Sequence, residues 1–239
     1  MLPVQPLLWD SQFLGFEVAR VAAESLQAGT WPQVQAAARA AGLRLLYVVA
    51  DPNDATTAAT LGAAGLLRIS RLVTYLADAA ALAHPAAQFK VQPTTEMTPA
   101  LEALAWESGT YSRFQVDPRM PPAAFRAMYS EWLRKSLRGE ELARQVFSAR
   151  FAGGLEVGLL TLGEERGRAD IGLLSVATGA RGRGIGRQLL AYAGIRARAW
   201  GFDQVQVVTQ YENQAACRFY VRSGFEPVEQ QDVYHCWLC

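Results

Sequence analysis

Apolar residues recur at three- and four-residue spacing over residues 99–108, 122–137 and 182–200, and this periodicity predicts a helix in each. Shorter apolar runs predict strands at 89–95, 144–151, 155–163, 170–176, 205–209 and 233–238. Gly153-Gly154 marks a hairpin turn between the second and third of these strands, and Gly201 ends the helix over 182–200. Asn213 opens and Gly224 stops a further short helix over 213–223. Helices alternating with strands predict an α/β fold with a mixed sheet.

The first part of the chain repeats this pattern at a spacing of 159 residues. Ala41-Gly42-Leu43 falls on Trp200-Gly201-Phe202, Val48-Val49 on Val207-Val208, Asp54 on Asn213, Gly65-Leu66 on Gly224-Phe225 and Tyr75 on Tyr234. Both parts read helix, glycine, strand, polar cap, short helix, glycine, strand, which predicts a degenerate internal repeat. The echo stops at two places: residues 181–186 fall on 22–27, which hold no glycine, and Tyr220 falls on Leu61. The alanine-rich stretch 79–85, ending in His84-Pro85, is the expected boundary between a first domain, 1–85, and a second, 86–239.

Candidate chemistry concentrates at Arg181-Gly182-Arg183-Gly184-Ile185-Gly186-Arg187, between the strand over 170–176 and the helix that follows. A strand, a glycine-rich turn and a helix start aim several backbone N–H groups at one place, which suits a phosphate. Gly182, Gly184 and Gly186 let the backbone approach a ligand, and the three arginines add positive charge. A dinucleotide fingerprint counted from Gly182 needs glycine at Arg187, and no P-loop occurs anywhere. An ordinary glycine-rich turn is the alternative for the loop taken alone.

The loop, with Asn213-Gln214-Ala215-Ala216-Cys217-Arg218-Phe219-Tyr220 and the run on to Phe225, resembles the GNAT N-acetyltransferases. The resemblance implies a complete GNAT fold in the second part, preceded by a smaller, partial GNAT-like α/β domain. It implies acetyl-coenzyme A as cosubstrate and no metal. Residues implied to hold it are Leu174 and Val176 on the strand, with the Val176 N–H facing the thioester carbonyl. The others are Arg181, Gly182, Arg183, Gly184, Gly186 and Arg187 in the loop, and Asn213. Tyr220 stands where many such enzymes place the general acid for the leaving thiolate, and a phenol is protonated at neutral pH. Asp170 matches the position of a base in one branch of the superfamily. Glu107, Asp117 and a water relay are equal alternatives, and Asp170 is also readable as a solvated strand end. Thr178 departs from the proline many relatives carry there.

Three islands narrow the resemblance to the bacterial dTDP-fucosamine acetyltransferases: residues 8–16 beginning Leu8-Trp9-Asp10-Ser11, the segment around Ser112-Arg113-Phe114, and the loop through Tyr220 to the end. The acceptor implied is the amine of a nucleotide-linked amino sugar, contacted by Tyr111, Arg113 and Phe114. Arg113 and Arg119 suit a diphosphate and Trp132 suits stacking, whereas Phe125 reads as core. Other amines (a peptide N-terminus, a polyamine, an aminoglycoside) remain alternatives, as does a coenzyme A-binding module without chemistry.

Composition limits the partners. The chain is 51% hydrophobic and 19% charged, with a net charge of +1, so no basic field favours nucleic acid or a membrane surface. No apolar run is long enough to span a bilayer, and Met1-Leu2-Pro3 begins no signal peptide. Three cysteines make no disulfide framework, so a cytoplasmic location is expected, with a homodimer allowed. His235, Cys236 and Cys239 have the residue types of zinc ligands, but with no second pair in the chain an incidental terminal strand is the better reading.

Overall fold

Capping residues decide where the helices of the second half begin. Asn213 accepts a hydrogen bond from the Ala216 N–H and so caps helix α9 (Gln214–Arg222). Asp54, 159 positions earlier, accepts from the Thr57 N–H and caps α3 (Ala55–Ala63) in the same way. In the computed structural model, which describes residues 4–23, 26, 29–83, 89–140, 142–151 and 154–238, these two helices coincide end to end at that spacing. Strand β3 (Leu45–Ala50) likewise falls on β9 (Gln204–Gln210), and β4 (Arg68–Asp78) falls on β10 (Glu226–Trp237). Gly42 and Gly201, which lead into β3 and β9, share a left-handed φ of 73° and 85°.

The other elements are β1 (Val4–Pro6), α1 (Leu8–Leu14), β2 (Val18–Ala23), α2 (Trp31–Ala40), α4 (Ala79–Leu82) and β5 (Lys90–Thr94). They continue with α5 (Pro99–Ser108), α6 (Arg113–Val116), α7 (Ala124–Arg138), β6 (Gln145–Arg150), β7 (Glu156–Glu165), β8 (Arg168–Val176) and α8 (Ile185–Ala199). The described strands form one sheet in the order β1-β2-β3-β10-β4-β9-β8-β7-β6-β5. The β2/β3 and β8/β9 pairs are parallel and the rest antiparallel, so the sheet is mixed.

This order interleaves the two expected domains. β4 from the first part lies between β9 and β10 of the second, and β10 lies between β4 and β3. Each half thus gives its last strand to the other. The stretch expected as a linker is α4, packed on α8 so tightly that a Cβ at Gly194 would meet the Ala79 carbonyl at 2.5 Å. His84 and Pro85 lie outside the described residues, as do Gly153 and Cys239. A division at residue 85 therefore separates no two sheets.

Alternation along the strands sends neighbours to opposite layers. Phe147 and Leu160 pack with Leu189 and Ala193 of α8, while Val146 and Leu159 pack with Leu101 of α5 and Leu133 of α7. In the first half, Leu46 and Val48 face α2 and α3. Leu45 and Tyr47 face the other way, joining Phe114 and Met128 of the second half. Helices α6 and α7 thus rest partly on strands of the first half.

Candidate active site

The site begins where two parallel strands part. β8 and β9 pair only at Ala169/Val205, Asp170/Gln206 and Ile171/Val207, although both strands run on. The parting coincides with a bulge: Ile171 faces Leu162 and Leu174 faces Leu160, so β8 carries one extra residue. Thr161 Oγ1 accepts the Leu173 N–H at 2.8 Å inside this bulge. A Cβ at Gly172 would come within 3.0 Å of Thr161 Oγ1 and 3.3 Å of Trp132 Nε1, so any side chain there would press both neighbours back by a few tenths of an ångström. Beyond it the Ala177 N–H donates to the Val157 carbonyl, which makes Gly158/Val176 and Leu160/Leu174 non-hydrogen-bonded pairs. The N–H and C=O groups of Leu174 and Val176 consequently turn away from β7 toward the opening.

The glycine loop follows β8 directly at its parted end and leads into α8. Gly182 (φ 76°) and Gly184 (φ 87°) hold left-handed conformations with nothing within 4 Å of an added Cβ. α8 starts at Ile185, and the Gln188 N–H donates to the Gly184 carbonyl in its first turn, so the N–H groups ahead of Gln188 at the helix start have no intrahelical acceptor. That combination of free donors, helix N-terminus and room fits a pyrophosphate. Gly186 also serves packing, because a Cβ there would lie 2.9 Å from the Phe219 ring. Arg181 does not offer a free charge: its Nε donates to the Val176 carbonyl (3.0 Å) and its Nη2 to Glu107 Oε1 (2.7 Å). Arg183 lies over the Phe151 ring, and Arg187 donates to the Arg222 carbonyl.

A cleft of about 420 Å³ runs along the parted strands, and Asp170, Leu174, Asn213 and Tyr220 all line it. Tyr220 is 4% exposed, packed against Tyr75 and Phe225. Burial, then Cys217 and Tyr75, pushes its hydroxyl above the usual phenol range, so it stays protonated. Asp170 is half-buried; burial raises its carboxyl from 3.8 to about 6 against the Gln206 amide, which donates to it at 3.1 Å. The other two base candidates lie elsewhere. Glu107 is engaged by Arg181 and Thr178, and Asp117 is enclosed at 2% exposure.

The end of the cleft around Arg113 shows what sequence spacing did not reveal. Arg113 donates to Asp10 Oδ1 (3.3 Å) and lies over the rings of Tyr47 and Phe114, with Tyr47 also donating to Asp10. Trp9, Asp10, Ser112, Arg113, Phe114 and Trp132 line the cleft; Tyr111 does not and is 42% exposed. Trp132 stacks on Tyr129, and Phe125 packs on the same ring. Arg113 and Arg119, the two arginines that suit a diphosphate, are each paired with a carboxylate, Arg113 with Asp10 and Arg119 with Asp117. Asp117 ties this segment to β10. Burial would raise its carboxyl, but the ring N–H groups of His235 (2.7 Å) and Trp237 (2.9 Å) and the Arg119 N–H outweigh burial and hold it ionised. Burial keeps His235 neutral. His235 thus points to Asp117, whereas Cys236 on the opposite face bonds Gln35. Asp10, Tyr47 and Gln206 were missed because their partners lie 103, 37 and 36 residues away along the chain.

Comparison with known proteins agrees with this geometry. The Acetyltransferase (GNAT) family matches residues 106–225. The dTDP-fucosamine acetyltransferase of Escherichia coli O6:H1 (strain CFT073) is 29% identical over 229 residues, covering 92% of both chains. The spore coat polysaccharide biosynthesis protein SpsD of Bacillus subtilis (strain 168) is 29% identical over 140 residues, 59% of this chain and 47% of its own. A tandem GNAT protein from the clavulanic acid biosynthesis pathway shares the fold, with a TM-score of 0.58 at 19% identity over 93% of this chain and 75% of that one. With parted strands, a glycine loop and half of its length matched, the chain belongs to the GNAT acetyltransferase family.

Proposed function

We propose that this enzyme moves the acetyl group of acetyl-coenzyme A to the amine of a nucleotide-linked amino sugar, a dTDP-4-amino-4,6-dideoxyhexose. The parting of β8 from β9 beside Tyr220 is the observation that carries the reading. Bound acetyl-coenzyme A supplies an activated acetyl thioester. The Leu174 and Val176 backbone groups hold the pantetheine arm, with the Val176 N–H toward the thioester carbonyl. The N–H groups from Gly182 through Arg187 hold the pyrophosphate, aided by the Arg183 and Arg187 charges, and the Asn213 amide meets the arm.

Tyr220 donates the proton that the leaving sulfur takes up, a role its raised affinity for that proton allows. Asp170, ionised above about pH 6, takes the proton from the acceptor ammonium. The acceptor ring lies against Phe114 and Trp132, with the Arg113–Asp10 pair offering both a donor edge and a carboxylate oxygen. An amino sugar is favoured because the relative matched over 92% of both chains is named a dTDP-fucosamine acetyltransferase. We read residues 1–85 as a degenerate, partial GNAT-like half without a coenzyme site.

Thiol release from acetyl-coenzyme A, measured with dTDP-amino sugars, polyamines, aminoglycosides and peptides, tests both acceptor and acid. The amino sugar is expected to give the highest kcat/KM. Tyr220→Phe is expected to lower kcat by about a hundredfold with acetyl-coenzyme A affinity unchanged. Turnover of the variant within about threefold of wild type would remove Tyr220 as the acid, and a preferred polyamine would replace the acceptor.

A further inference from the structure

We infer that Glu107, at the end of α5, is a positioning residue that holds the glycine loop in its phosphate-receiving form through Arg181 and Thr178, tying the coenzyme side of the cleft to the acceptor side. The inference rests on the loop being the phosphate site. One carboxylate oxygen, Glu107 Oε1, accepts from Thr178 Oγ1 at 2.5 Å and from Arg181 Nη2 at 2.7 Å. The same guanidinium donates through Nε to the Val176 carbonyl at 3.0 Å, one of the groups turned toward the opening. Both ends of the turn between β8 and Gly182 are therefore gripped from one point. Thr178 begins that turn and Arg181, extended at φ −65° and ψ 160°, ends it.

That point belongs to another layer of the molecule. α5 packs beneath β7 and β8 through Leu101, Leu104 and Ala105, which fixes the backbone from which Glu107 reaches. Its neighbour Ser108 lines the acceptor cleft. As a contribution to stability, a half-exposed pair such as Arg181–Glu107 counts for little. Its effect is on ligand affinity: a loop that spends time in other conformations binds in proportion to the fraction that is competent.

Charge and positioning predict opposite signs, which makes the inference testable. Removing Glu107 unmasks Arg181 beside the phosphates, so charge alone would tighten binding. Loss of positioning weakens it. Calorimetric binding of acetyl-coenzyme A to the full-length wild type, Glu107→Ala, Glu107→Gln and Thr178→Val, with melting curves on each, decides between them. Glu107→Ala is expected to bind about tenfold more weakly, with KM for acetyl-coenzyme A raised to match and kcat within about twofold. Glu107→Gln keeps an oxygen acceptor and is expected to recover most of that loss, and Thr178→Val to weaken binding about threefold. Unchanged or tighter binding by Glu107→Ala with an unchanged melting temperature overturns the inference, leaving the loop's role standing. If Glu107→Ala does not fold, Thr178→Val decides on the same criterion. Failure of the wild type to bind overturns the loop reading itself, and this inference with it.

Discussion

Two groups in the cleft have their proton affinity raised by the same cause, burial, yet suit opposite tasks. A phenol raised above its usual value remains a donor, and a carboxyl raised to about 6 remains a base at neutral pH. Because the folded value of Asp170 lies above its free value of 3.8, its contribution to stability is complete below about pH 4 and is lost as pH rises through about 6. At neutral pH the carboxylate is thus a stability cost, one that the proposed role as base would explain. Asp170→Asn is expected to raise the melting temperature at pH 7.5, by about 2–4 °C for each kcal/mol relieved, while abolishing the acid limb of kcat/KM near pH 6. A melting curve and a pH–rate profile on one preparation check both. An intact acid limb would assign the base elsewhere.

At the scale of elements, what a segment becomes depends on how much of the cause is local. α5 is observed at Pro99–Ser108, as its periodicity predicts, because apolar spacing and the Thr98 cap are local signals. α8 begins at Ile185 rather than 182 because Gly182 and Gly184 take left-handed conformations that end helical continuity before it starts. Those conformations predict the outcome of Gly184→Val. A branched side chain is strained at φ 87° and fills space that is open in the protein, so acetyl-coenzyme A binding should weaken by about a hundredfold or more with circular dichroism unchanged. Equal affinity would take the loop out of the site. β10 is the contrary case. Its first half, Glu226 to Gln231, is polar and exposed and carries no alternation, yet it is strand because β4 offers it an edge.

For the whole molecule, the exchange of β4 and β10 means that neither half owns a complete sheet. Residues 86–239 alone would leave β9 and β10 without the strand between them, exposing Val73-, Tyr75- and Ala77-binding surface. This fragment is expected to lose cooperative melting and acetyl-coenzyme A binding, and co-expression with residues 1–85 is expected to restore both. A fragment that binds as the full chain does would contradict this account. The halves also differ where chemistry is concerned. β2 and β3 stay paired over all six residues from Val18 to Ala23, so no opening forms. Leu26, 2% exposed, is bonded to Thr57 and Thr60 of α3 and packs with Leu61, the counterpart of Tyr220. Calorimetry on the full chain is accordingly expected to give one acetyl-coenzyme A per chain.

The amino-acid sequence by itself determined the helices with strong periodicity, the repeat register of 159, the glycine loop and the cap at Asn213, since each depends on residues a few positions apart or on backbone preference. It marked Tyr220, Asp170 and Arg113, which the fold brings to one cleft. Only the tertiary structure decided that Arg181 turns back to Glu107, that Gly186 serves Phe219 and that Asp10 neutralises Arg113. It also decided that the two halves share one sheet. Those outcomes are set by strand pairing and charge partnering between segments far apart along the chain. Local spacing holds no record of such pairings, because their energy exists only once the segments meet.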